Sequence, residues 1–137
     1  MTLAYWKIRG LAAGIRYQLV YAGVDFESKI YQVGDPPEYN KDCWYGEKYK
    51  LGMNFPNLPY LRDGDFIMTE TLPIHEYCAE KWGPHGQTPK ERAQINMVAR
   101  VIEDTKNIFT NNCYSGDLEK ALDGIKEKMP KIVEFLG

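Results

Sequence analysis

The spacing of apolar residues changes period several times along the chain. Thr2 to Arg9 carries Leu3, Tyr5, Trp6 and Ile8 and suits a short strand buried on both faces. From Leu11 to Ala22 the apolar positions Ile15, Leu19 and Ala22 fall at helical spacing, with Gly23 placed to close the helix in a left-handed cap. Phe26 to Val33 predicts a second strand, stopped by Gly34-Asp35-Pro36-Pro37 because proline cannot donate to a ladder. Residues 34 to 57 show little periodicity and predict a loop with short helical turns. Leu58 to Arg62 and Phe66 to Thr69 flank Asp63-Gly64-Asp65, a hairpin signal. Thr71 then suits an N-cap, with Pro73 tolerated in the first turn and Ile74, Tyr77, Cys78 and Lys81 tracing one face up to Gly83-Pro84.

Beyond that point the pattern is purely helical. Thr88-Pro89-Lys90-Glu91 is a capping box with proline at the first helical position. Ala93, Met97, Val98, Val101, Ile102, Ile108 and Phe109 keep helical spacing up to an expected break at Asn111-Asn112. A second helix follows from Asp117 through Leu118, Leu122, Ile125, Met129, Ile132, Val133 and Leu136, with a kink expected at Pro130. The order β-α-β-loop-β-β-α followed by helices predicts an α/β domain over 1–83 and an all-helical domain over 84–137, joined near His85-Gly86-Gln87. Two amphipathic helices bury little alone, so their outer faces call for the first domain, another chain or further residues, and the chain is expected to be truncated.

Composition narrows the function classes. Seventeen basic residues against nineteen acidic ones give a net charge of −2 over 137 residues, which offers no global positive field for nucleic acid. No apolar run approaches the roughly 20 residues of a membrane span, and the opening residues lack a signal peptide's charged start and apolar middle, so a cytoplasmic protein is expected. Cys43, Cys78 and Cys113 stand at wide spacing and form no familiar zinc pattern with His75 and His85, so neither disulfides nor a metal are expected. Buried or inert thiols are the expectation for all three cysteines. In the long loop, Lys41, Trp44 and Lys48 can stack on or pair with an anionic small molecule; the alternative is a solvated irregular loop.

The strand that opens with Asn57-Leu58-Pro59-Tyr60 marks the thioredoxin-like arrangement, in which the proline heading that strand is cis. The backbone of the preceding residue, Leu58, then turns outward and can pair with a short extended peptide.

Four stretches together resemble the mu-class glutathione S-transferases: Tyr5-Trp6-Lys7-Ile8-Arg9-Gly10-Leu11, Tyr39-Asn40-Lys41-Asp42-Cys43-Trp44, Glu47-Lys48-Tyr49-Lys50-Leu51-Gly52 and Phe55-Pro56-Asn57-Leu58-Pro59-Tyr60-Leu61. The resemblance covers nearly the whole chain. It implies a thioredoxin-like N-terminal domain followed by part of a helical bundle, and conjugation of glutathione, as co-substrate, to small apolar electrophiles. A free thiol has a pKa of about 8.5, so such chemistry needs a donor that stabilises the thiolate. By resemblance that donor is Tyr5; the alternative is a core tyrosine in a strand.

The resemblance also implies that Trp6, Lys41, Trp44 and Lys48 hold and shape the pocket of the glycine carboxylate. Asn57 and Leu58, with Leu11 and Pro59 beside them, hold the cysteinyl part. Lys41 stands where an arginine is usual, which keeps the charge and loses the planar fork. Glu70-Thr71 stands where Gln-Ser is usual; Glu70 suits the γ-glutamyl ammonium, and the helix start at Thr71 suits its carboxylate. Asp104 resembles an acid that reaches the neighbouring subunit's glutathione, and Tyr114 a tyrosine over the electrophile pocket; a surface acid and a packing tyrosine are the alternatives. Phe55 matches an aromatic key at the dimer contact. Glu76 and Glu80 stand where arginines are common near the twofold axis, where they either repel or select a basic partner. The expected partner is a second copy or a related subunit, in a dimer or a larger assembly. A non-catalytic subunit that keeps this scaffold for protein contacts is the alternative function.

Overall fold

The computed structural model describes residues 1–137 as two compact units, Met1–His85 and Gly86–Gly137. In the first, β1 (Thr2–Trp6) leads into α1 (Ala12–Tyr21) and β2 (Glu27–Tyr31). The loop that follows holds a single helical turn, α2 (Asp42–Tyr45), and a 3₁₀ turn (Lys48–Lys50). The hairpin β3 (Tyr60–Asp63) and β4 (Phe66–Thr69) and the helix α3 (Thr71–Trp82) complete the unit. The sheet order is β2-β1-β3-β4, with β1 parallel to β2 and antiparallel to β3. This is the thioredoxin-like arrangement that the order of motifs predicted.

β1 lies between two strands, so Leu3, Ala4 and Tyr5 are all buried, as its unbroken apolar run requires. The paired residues of β1 and β3 feed two cores. Leu3 and Leu61 pack with Ile15 and Leu19 of α1 and Ile74 and Cys78 of α3. Ala4 and Tyr60 pack on the other side with Tyr5, Ala12, Tyr31, Trp44 and Leu58. The end of α1 is a left-handed cap: Gly23 has φ of 67°, its N–H donates to Val20 O, and Val24 N–H donates to Leu19 O. In the hairpin Gly64 takes positive φ between the paired Asp63 and Phe66. The Leu58-Pro59 bond is cis, as predicted, and so is Pro36-Pro37, which no signal in the sequence indicated.

Two local expectations are corrected in this unit. β2 is Glu27–Tyr31 rather than 26 to 33. Thr71 is the first residue of α3 rather than its N-cap; Glu70 occupies that place with φ of 74° and no side-chain cap. A left-handed backbone at a non-glycine residue costs on the order of 1–3 kcal/mol and is sustained only where its surroundings dictate it. Of the three cysteines, each expected to be buried or inert, Cys78 is buried, Cys43 is exposed and Cys113 is half-buried, so for the last two the expectation rests on inertness alone.

The second unit is the pair α4 (Pro89–Ser115) and α5 (Leu118–Leu136). The capping box is complete, with Glu91 N–H donating to Thr88 Oγ1 and Thr88 N–H to Glu91 Oε2, each at 3.1 Å. The expected break at Asn111-Asn112 is absent. Asn112 Nδ2 donates to Ile108 O at 2.8 Å along the helix, and the stop falls instead at Gly116, left-handed with φ of 83°. Asp117 caps α5 through Lys120 N–H, and the helix continues through Pro130. Ala121 and Ile132 are buried, while Leu118, Leu122, Val133 and Leu136 stay exposed on the predicted apolar stripe. No helix is long and apolar enough to cross a membrane.

Candidate active site

Tyr5 sits at the end of β1 with 6% of its surface exposed, and its hydroxyl accepts a 3.2 Å hydrogen bond from Leu11 N–H. The turn between them passes through Gly10 at φ of 39°, where a Cβ would stand 2.8 Å from the Tyr5 hydroxyl and 2.7 Å from Cε1. Glycine is the residue that lets this turn approach the ring so closely. Because Leu11 supplies a donor to the oxygen, the hydroxyl's own hydrogen remains to be given to an anion. Gly10 lies within the stretch Tyr5 to Leu11, but its steric role depends on where the ring sits.

Leu58 and Leu11 pack with Tyr5 around the same core. Leu58 N–H donates to Asn57 Oδ1 at 2.9 Å, while Asn57 Nδ2 donates to Glu70 Oε1 at 3.2 Å. Asn57, Leu58 and Glu70 are thus brought together beside the cis bond to Pro59. The start of α3 at Thr71 leaves backbone N–H groups without partners inside the helix, a setting suited to a carboxylate.

A second group forms in the long loop. Trp44, expected to meet a ligand, is 4% exposed and lies between Tyr31 at 5.2 Å, edge-on, and Tyr60 at 6.2 Å, stacked. Trp6 meets the other side of Tyr31 edge-on at 6.2 Å. Lys48 Nζ stands 5.8, 5.5 and 4.9 Å from the ring centres of Trp44, Tyr45 and Tyr49. Lys41 is exposed, and its carbonyl accepts from Trp44 and Tyr45 N–H at the start of α2. Sequence reasoning missed the polar cluster beneath this loop, in which the Glu47 carboxylate accepts from both Lys29 Nζ and the Tyr31 hydroxyl. Burial acts to raise Glu47, but the hydrogen bonds from Lys29 and Tyr31 outweigh it and hold the carboxyl below its usual range. Burial, then the bond to Glu47, pushes the Tyr31 phenol well above its ordinary value.

The remaining residues singled out from sequence are solvent-exposed. Phe55 is 79% exposed on the loop before β3, and Glu76 and Glu80 are exposed on α3. Asp104 is exposed on α4, and Tyr114 is 79% exposed near its end. No group of three or more His, Cys, Asp and Glu side chains is arranged to hold a metal ion.

Known proteins resemble this chain throughout its length. A family model described as the N-terminal domain of glutathione S-transferases matches residues 1–80. Glutathione S-transferase Mu 2 of Mus musculus is 44% identical over all of this chain and 65% of its own length; glutathione S-transferase Mu 1 of Oryctolagus cuniculus is 42% identical over the same shares. Among solved structures, the glutathione S-transferase Blo t 8 superposes with a TM-score of 0.80 at 34% identity, covering 99% of this chain and 62% of that one. The glutathione S-transferase from Ascaris lumbricoides superposes with a TM-score of 0.79 at 26% identity, covering 98% and 66%. The chain therefore spans about two-thirds of the length of the curated relatives it matches.

Proposed function

The chain belongs to the glutathione S-transferase family, and on that premise we propose that it binds glutathione, ionises its thiol with Tyr5 and transfers the sulfur to a small apolar electrophile. The observation that carries this reading is the hydrogen bond from Leu11 N–H to the Tyr5 hydroxyl, which leaves the phenolic hydrogen to be donated to sulfur. In the reaction the thiol loses its proton to solvent and the thiolate accepts the Tyr5 hydrogen bond. The sulfur lone pair then forms a carbon–sulfur bond while the electrophile's leaving group or π bond takes up the displaced electron pair. A hydrogen bond to an ionised partner contributes about 1.5–3 kcal/mol, which lowers the thiol pKa by about 1–2 units.

The tripeptide lies along the edge beside the cis-proline. The backbone of Leu58, with Asn57 and Pro59, receives the cysteinyl unit as an added strand would. Glu70 takes the γ-glutamyl ammonium, and the α3 start at Thr71 its carboxylate. Lys41, Lys48, Trp6 and Trp44 form the glycine end. The glutathione-binding domain is residues 1–83, and 84–137 is the helical domain's share of the chain. There Tyr114 faces the electrophile and Asp104 the tripeptide of a second subunit. The exposed Phe55 supports pairing with a second copy or a related subunit, and three unbridged thiols support a reducing, cytoplasmic setting.

The test is a glutathione titration near neutral pH that follows ultraviolet thiolate absorbance and binding heat together. Thiolate should form on binding to the wild type and be lost in Tyr5→Phe, with binding retained and conjugation reduced roughly ten- to a hundredfold. Binding without thiolate in the wild type overturns the catalytic role of Tyr5.

A further inference from the structure

The Lys29, Tyr31 and Glu47 cluster lies outside the groups assigned to glutathione, yet it touches the loop that carries the glycine end of the site. Glu47 joins the two turns of that loop: its N–H donates to Trp44 O at 3.1 Å, and its carbonyl accepts from Lys50 N–H at 2.8 Å. Its side chain then ties the loop to β2, since Oε1 accepts from Lys29 Nζ and from the Tyr31 hydroxyl. The Tyr31 hydroxyl also lies 3.4 Å from that of Tyr60, so the two rings enclosing Trp44 are linked to the same carboxylate. Lys48, the next residue, keeps its ammonium over the faces of Trp44, Tyr45 and Tyr49 and makes no ion pair. Besides Lys29, the cation that acts on the Glu47 carboxylate is Lys50, two residues beyond Lys48.

We infer that Glu47, clamped by Lys29 and Tyr31, is a positioning residue for recognition of the glycine carboxylate of glutathione. It seats the turn that carries Trp44 and Lys48 against β2. Two features make the clamp suited to this. The cluster is partly withdrawn from water, with Lys29 and Glu47 each about one-third exposed and Tyr31 at 3%, so its bonds hold a geometry better than a surface pair would. The carboxylate also satisfies two donors at once, which fixes the loop in two directions. The inference rests on the glutathione reading of the site and identifies which end of the tripeptide the clamp serves.

The experiment measures calorimetric affinity for glutathione and for γ-glutamylcysteine, which lacks the glycine, in the wild type, Glu47→Gln, Lys29→Met and the double variant. Small misplacements of binding groups carry losses of up to about a hundredfold, and here roughly tenfold weaker glutathione binding is expected in each single variant. Binding of γ-glutamylcysteine should be unchanged, and the double variant should be no worse than either single, since both remove one interaction. Equal affinities for glutathione in wild type and variants overturn the inference, as does parallel weakening of both peptides, which marks a merely structural role. A wild-type chain that binds neither peptide overturns the glutathione reading and this inference with it. If Glu47→Gln fails to fold, Lys29→Met keeps the carboxylate and reads the same contrast.

Discussion

Tyr5 and Leu11 are joined hydroxyl to backbone, the Leu11 N–H donating at 3.2 Å across a turn in which Gly10 has no space for a side chain. The relationship makes a single glycine responsible for how closely the turn that carries Leu11 approaches the phenol.

Gly10→Ala should therefore act on the chemistry rather than only on folding. Its Cβ would stand 2.7 Å from Tyr5 Cε1, and positive φ at a non-glycine residue costs about 1–2 kcal/mol. Thiolate formation on glutathione binding should fall at least about tenfold, because the hydroxyl must move. Titration of the thiolate absorbance checks this, and an unchanged thiolate yield with a merely lowered melting point would contradict it.

Thiol reactivity should divide the cysteines by burial. Cys78 is buried against Leu3, Leu19 and Ile74, and desolvation pushes its pKa up to about 11. At pH 8 an aromatic disulfide reagent should modify the exposed Cys43 quickly and Cys78 only after denaturation. Mass spectrometry of labelled peptides locates each adduct. Fast native labelling of Cys78 would mean that α3 opens.

Acid should weaken the link between β3 and α3. Hydrogen bonds from Lys81 and from the Tyr77 hydroxyl, the latter at 2.6 Å, hold Asp63 below its usual carboxylate range. A depressed folded-state pKa stabilises fully above the unfolded value of about 3.9 and is lost as pH falls below it towards the folded value. Asp63→Asn should lower the urea midpoint near neutral pH, and the gap to wild type should narrow as pH falls below about 3.9. A gap independent of pH would show that the charge is irrelevant.

The second unit offers a test of close packing. A Cβ at Gly124 of α5 would stand 2.5 Å from Ile108 Cγ2 of α4. Alanine improves helix propensity by about 1 kcal/mol, but crowding of a packed site costs about 1–3 kcal/mol. Gly124→Ala should thus be net destabilising in thermal unfolding, and adding Ile108→Ala, which removes the obstructing methyl, should relieve the crowding. A stabilised single variant would mean that the helices separate freely.

The strands, the capping box and the cis-proline were legible because each is a local signal. Continuous apolar residues mark β1, Thr88 and Glu91 satisfy each other's backbone three residues apart, and Pro59 heads a strand in a recognisable motif. The misreadings arose where a local preference was overruled by neighbours. Asn111-Asn112 reads as a break, yet Asn112 spends its amide on Ile108 O and the helix continues to the glycine that can turn left-handed. Thr71 reads as a cap, yet the chain enters α3 through Glu70, whose side chain is held by Asn57.

The sequence by itself determined the order of elements and the motif series that identifies the family, and Tyr5 was singled out only through that resemblance. Those properties follow from residues close together in the chain, where periodicity and turn chemistry act. Only the tertiary structure decided that Leu11 turns the Tyr5 hydroxyl, that Trp44 is enclosed between Tyr31 and Tyr60, and that Glu47 answers to Lys29 rather than to the lysine beside it. Each of those depends on packing elements distant in sequence, and a hydrogen bond or ring contact exists only once both partners have been brought within a few ångströms.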